Sequence, residues 1–167
     1  IPLVTEQGAS SRLFLAKNNQ VFIYEIQRFD APPRLMFKEK DKVNHTIIYK
    51  SNPHHDKYFW GKSEMIHYKA PSGNDLNGAL FYPANYMSGV KYPMIVWIYD
   101  TVSRELNQYV NPTLNNPIGL NITNLTANGY FVLLPDIEFQ KGSPGKSALN
   151  CVTVAVNKVI EMGYTEL

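Results

Sequence analysis

The chain has 167 residues, 44% of them apolar and 13% aromatic, enough apolar surface for a packed core and too much for a disordered chain. Sixteen Lys and Arg against 14 Asp and Glu leave a formal charge of +2, and the charges are scattered, which excludes the basic footprint of a nucleic-acid binder. A single cysteine, Cys151, rules out an internal disulfide and a multi-cysteine zinc site, and no apolar run approaches the roughly 18–20 residues that span a bilayer.

Residues 12–16, 20–26, 34–37 and 46–49 read as short β-strands, with Asn18-Asn19 and the stretch Asp30 to Pro33 as the punctuation between them. Strands at this spacing suggest part of a sandwich, barrel or propeller. The turn-rich stretch Ser51 to Asp56 reads as a linker with a boundary near Trp60-Gly61, so two regions are expected, 1–60 and 61–167.

In the second region, 64–69 and 76–82 flank the turn composition of Pro71 to Asp75 and read as a hairpin. Residues 93–99 and 130–134 are continuous apolar runs, the pattern of parallel strands buried on both faces and expected mid-sheet. Between them Asn116 is a cap, Pro117 a first helical residue, Ile118, Ile122 and Leu125 a helical stripe and Asn128-Gly129 a stop. The final helix starts at Ser143-Pro144, carries Leu149, Val152, Val156, Val159 and Ile160 as its apolar stripe and ends at Gly163. A stripe of this kind needs a sheet to cover, so 61–167 reads as an α/β layer structure. The chain starts without methionine and stops at Leu167 just past a helix-stop signal, and both ends are expected to lie inside a longer polypeptide.

Several motifs invite chemistry. Gly145-Lys146-Ser147 opens a helix as a phosphate-binding loop would, but Gln140 stands where that loop needs its first glycine and Pro144 removes a backbone N–H, so a capped helix start is the plainer reading. His54-His55-Asp56 has metal-binding residue types without a second cluster to complete a site, and His67 sits on a strand, so no metal or other cofactor is expected. No serine carries the G-x-S-x-G spacing of a nucleophile elbow, and no histidine follows His67 to act as a late base. Asn44, Asn121 and Asn124 match the glycosylation pattern, as expected by chance in so asparagine-rich a chain.

The run from Tyr58 to Pro83 resembles the start of the catalytic domain in the prolyl oligopeptidase family of serine peptidases. There the last propeller strands lead into a pattern of the type E-x-x-x-Y-x-x-x-D-G-x-x-L-x-G-x-L-x-Y-P, and this chain has Ser72-Gly73 where Asp-Gly is common. Lys91 to Tyr99 resembles the third strand of the hydrolase sheet, Asn128 to Asp136 the fourth, and Phe139 to Ala148 the loop and helix before the nucleophile strand. The resemblance covers about 58–167, nearest to the dipeptidyl and acylaminoacyl branches, with 12–50 as the last propeller blade. It implies an α/β fold: the N-terminal half of an α/β-hydrolase sheet, preceded by short antiparallel strands that resemble the end of a β-propeller.

The family's serine, aspartate and histidine come later in sequence, so the chain alone is expected to be inactive while the whole protein cleaves peptides. The resemblance assigns Tyr99, at the end of the third strand, as the residue whose hydroxyl stabilises the oxyanion. Asp100-Thr101 stand where the family often has small residues and glycine, and a tyrosine merely packed at a strand end is the alternative. The family's nucleophile strand pairs beside 93–99, so this strand is expected to be an open edge here and to support self-association. A non-catalytic interaction domain using that edge is the second functional reading. An extracytoplasmic or periplasmic location is suggested by the resemblance alone.

Overall fold

The computed structural model describes residues 8–113 and 119–166. They form two compact units, one comprising the residues up to Tyr58 together with Asn107–Tyr109, the other Phe59–Leu106 with the residues from Val110 onward.

The first unit is a four-stranded antiparallel sheet in chain order: β1 (Ala9–Leu15), β2 (Val21–Arg28), β3 (Ala31–Glu39) and β4 (Thr46–Lys50). Alternation places Tyr24 and Ile26 of β2 and Met36 of β3 on one buried face, with Tyr24 opposite Met36. Pro32 and Pro33, expected as turn residues, lie inside β3. The register between β2 and β3 shifts between Ile26 and Arg28, which puts these prolines at the irregular start of the strand, where a missing N–H is tolerated. The Pro33 carbonyl accepts from both the backbone N–H and the hydroxyl of Ser51. Within the stretch read as a linker, Pro53–Lys57 forms a 3-10 turn that buries His55.

The second unit holds a mixed sheet of β5 (Ser63–Lys69), β6 (Asp75–Phe81), β7 (Met94–Val96) and β8 (Phe131–Pro135) in the order β5-β6-β8-β7. β5 and β6 form the expected hairpin, β6 pairs antiparallel with β8, and β7 runs parallel to β8. Only one of the two continuous apolar runs is central. β8 is buried throughout, whereas β7 is a three-residue edge strand with Ile95 37% exposed. An apolar run reports burial on its two faces and carries no information about whether a strand pairs on each side.

α1 (Ile122–Ala127) is capped by Asn121, whose side-chain oxygen accepts from the Asn124 N–H at 3.0 Å, and it ends at Asn128 with Gly129 in a positive-φ conformation. The expected cap at Asn116-Pro117 and the first stripe residue Ile118 lie outside the described residues. α2 (Pro144–Glu161) starts where the sequence places it, but Ser143 contributes only its carbonyl, which accepts from Ser147 N–H. Its buried line is Ser147, Cys151, Ala155 and Val159, spaced i, i+4, while Leu149, expected in the stripe, is 65% exposed. Small side chains let the helix sit close to the sheet, and the larger Val152, Val156 and Ile160 flank that line half-buried. Ala155 and Val159 pack with Ile66, Tyr68, Leu80, Tyr82, Phe131 and Leu133 into the core of this unit.

Candidate active site at the ends of the parallel strands

Parallel strands in open sheets place their ligand crevice at the carboxyl ends, which here means the loops leaving β7 and β8. The ladder runs one step past β7, with Trp97 N–H donating to the Leu133 carbonyl at 2.9 Å. Tyr99 follows on the loop. Its side chain is 69% exposed, its ring lies tilted against Trp97 with centroids 6.4 Å apart, and its hydroxyl makes no hydrogen bond among the described residues. Tyr99 thus stands just beyond the strand end with its donor free.

The other loop begins at Asp136, the residue after β8, and it is buried. One carboxylate oxygen accepts from the Ser103 N–H at 2.8 Å and the other from the Ser103 hydroxyl at 2.7 Å. The Tyr68 hydroxyl donates to the Asp136 carbonyl at 2.8 Å. Burial, then the nearby charge of Asp136, pushes the Tyr68 phenol well above its ordinary range, so it remains a donor. Neither Asp136 nor Ser103 has a role assigned from the sequence alone. The available signal was a charged residue directly at the end of a fully apolar strand, where it must find partners as it is buried.

The remaining candidates do not converge. His54 and His55 stack edge-on at 4.3 Å, His55 bonds to Tyr109, and Asp56 pairs with Lys50, so the three residues serve separate partners. Among the described residues no group of three His, Cys, Asp or Glu side chains is placed to hold a metal. His67 Nδ1 bonds to the Asn77 side chain across the hairpin at 2.8 Å. The Ser147 hydroxyl of the phosphate-loop near-miss is engaged by the Ser143 and Pro144 carbonyls and by the Gln140 N–H. The depression beside it has room for about one water. No described helix is long and apolar enough to cross a membrane.

No protein-family model matches the sequence, and no curated protein matches it. Solved structures do match. The AtxE2 isopeptidase bound to astexin3-dC4 is 14% identical, with a TM-score of 0.72 over 96% of this chain and 26% of its own. A protein of Bacteroides ovatus assigned as a dipeptidyl aminopeptidase IV is 18% identical, with a TM-score of 0.65 over 94% of this chain and 24% of its own. Prolyl oligopeptidase B from Galerina marginata is 12% identical, with a TM-score of 0.56 over 95% of this chain and 23% of its own. The chain shares its fold with proteins of the prolyl oligopeptidase and dipeptidyl peptidase IV families. It spans about a quarter of the length of these structures. These structural neighbours are peptidases.

Proposed function

We propose that this chain is part of a serine peptidase of the prolyl oligopeptidase type, and that it supplies the last strands of a β-propeller (1–60) and the first half of an α/β-hydrolase domain (61–167). The observation that carries this is Tyr99: a free hydroxyl just past the end of a parallel strand, in a fold shared with enzymes that cleave amide bonds. In the reaction a serine oxygen, its proton taken by a histidine, attacks the peptide carbonyl. The carbonyl oxygen gains negative charge, and Tyr99 with a backbone N–H donates hydrogen bonds to it. The C–N bond then breaks as the histidine protonates the leaving amine, and water hydrolyses the acyl-enzyme. The serine, histidine and aspartate come from other parts of the whole protein. Peptides are the substrates; no cofactor, metal or nucleic acid takes part.

In the full-length protein Tyr99→Phe keeps the ring and removes the donor, so kcat should fall about 10²–10³-fold with KM little changed. A near-parental kcat would overturn the oxyanion role. The 167-residue chain alone, lacking a nucleophile and base, should hydrolyse neither chromogenic dipeptides nor simple esters, and turnover by the pure chain would contradict the reading. The exposed β7 edge favours a second reading, a non-catalytic interaction domain that pairs through that strand. A full-length protein inactive on all peptides would support it.

A further inference from the structure

The Tyr99 ring is tilted against Trp97, the side chain is exposed and its hydroxyl makes no hydrogen bond among the described residues, so where that hydroxyl stands depends on how firmly its backbone is held. Three bonds hold the turn that follows it. Ser103 N–H and Ser103 Oγ each donate to one oxygen of the Asp136 carboxylate, at 2.8 and 2.7 Å, and Ile137 N–H donates to the Asp100 carbonyl at 3.3 Å. Asp136 is fixed from behind by the two hairpin strands: its N–H donates to the Asn77 carbonyl of β6 at 2.9 Å, and its carbonyl accepts from Tyr68 of β5 at 2.8 Å. A continuous hydrogen-bonded chain therefore runs from β5 and β6, through the end of β8, into the turn after Tyr99. A buried carboxylate is costly unless its lone pairs are satisfied, and this one spends both oxygens on a single loop residue.

We infer that Asp136 is a positioning residue, which sets where the Tyr99 hydroxyl stands by holding the turn Asp100–Ser103 to the end of β8. The catalytic consequence rests on the oxyanion reading of Tyr99; the tether itself is measured without catalysis.

The test uses the full-length protein. Asp136→Ala should speed hydrogen exchange of the 100–105 amides at least about tenfold and lower kcat about 10–10²-fold, with KM changed less than about threefold. Asp136→Asn keeps the shape and two hydrogen-bonding atoms, and should restore most of both. In a Tyr99→Phe background, Asp136→Ala should cost less than about threefold further, because the residue acts through Tyr99. An equal kcat loss in both backgrounds, or unchanged exchange at 100–105, overturns the inference. Should Asp136→Ala fail to fold, Ser103→Ala removes one arm of the tether and must shift exchange and kcat in the same direction; no shift overturns it too. A parental kcat for Tyr99→Phe alone removes the oxyanion reading, and the exchange result then decides whether the tether stands.

Discussion

His55 and Tyr109, 54 positions apart in sequence, meet inside the first unit, the tyrosine hydroxyl bonded to ring Nδ1 and the ring centroids 5.8 Å apart. Tyr109 is held a second time, its backbone N–H donating to the Gln27 side-chain oxygen at 3.0 Å. The three-residue return Asn107–Tyr109 is thereby fastened to β2 and to the 3-10 turn that follows β4. Desolvation lowers the His55 pKa below its ordinary value of 6.5, the charge of neighbouring His54 lowers it further, and Asp56 offsets only part of this.

Above pH 6.5 the imidazole is neutral in both folded and unfolded chains and costs nothing. As pH falls through that value the unfolded chain takes up a proton that the folded unit resists, so stability falls until the depressed folded pKa is reached. Exchange protection of the β2 and β3 amides should drop with acidification in this window, and His55→Gln should flatten the slope. Equal slopes in the two proteins would exclude His55 as the source.

In the second unit the Tyr82 hydroxyl donates to Glu64 at 2.6 Å, and the Lys62 ammonium lies 4.1 Å above the Tyr82 ring while bonding to the same carboxylate. The tyrosine hydrogen bond is the largest cause holding the Glu64 pKa below its ordinary 4.5, with Lys62 adding to it against partial desolvation. Tyr82→Phe should raise the Glu64 pKa toward the ordinary value, followed by NMR titration of its carboxyl carbon. The depressed pKa contributes stability above pH 4.5 that is lost as pH falls through the folded value. Because the Glu64 side chain is 40% exposed, the loss at neutral pH should be only about 1 kcal/mol.

Gly61 is buried where the chain enters the second unit, and a Cβ built on it would stand 1.9 Å from the Tyr82 carbonyl oxygen. The backbone fixes the Cβ position and the obstacle is itself a backbone carbonyl, so neither can rotate away. Gly61→Ala should cost about 3 kcal/mol or more, measured by denaturant unfolding. Gly73→Ala is the comparison. Nothing lies within 4 Å of its Cβ position, and its positive φ makes the effect one of backbone strain alone. Similar losses at the two sites would show that the Tyr82 carbonyl is not the obstacle.

What the sequence made legible were elements with a local signature. The hairpin around Pro71 to Asp75 and the start of α2 at Pro144 are written in turn and cap residues that act over a few positions. Of the buried line of α2, Val159 belongs to the expected stripe, but Ser147, Cys151 and Ala155 were missed because they are small, and a reading by apolar bulk favours Leu149, which is exposed. The Asp136–Ser103 pair was missed for a different reason. Its partners are 33 positions apart, and only the parallel pairing of β7 with β8 brings their loops together. Tyr99 entered through a family resemblance and not through any local pattern of its neighbours.

β7 lies at the edge of the mixed sheet. Its one sheet neighbour is β8, so its other side presents backbone groups without a strand partner among the described residues, and Ile95 and Ile98 are 37% and 53% exposed. Such an edge, short but apolar, lacks the charged residues within its three positions that would discourage pairing with a second chain. The 167-residue chain in isolation is expected to associate as concentration rises, detected by sedimentation. Ile95→Lys places a charge on the exposed face of the edge and should shift the population toward monomer without unfolding the sheet, because Ile95 contributes little to the buried core. If the parent chain stays monomeric at high concentration with the 94–98 amides protected from exchange, the edge is covered by other means and the association reading fails. If Ile95→Lys leaves an observed dimer intact, the contact lies on another surface.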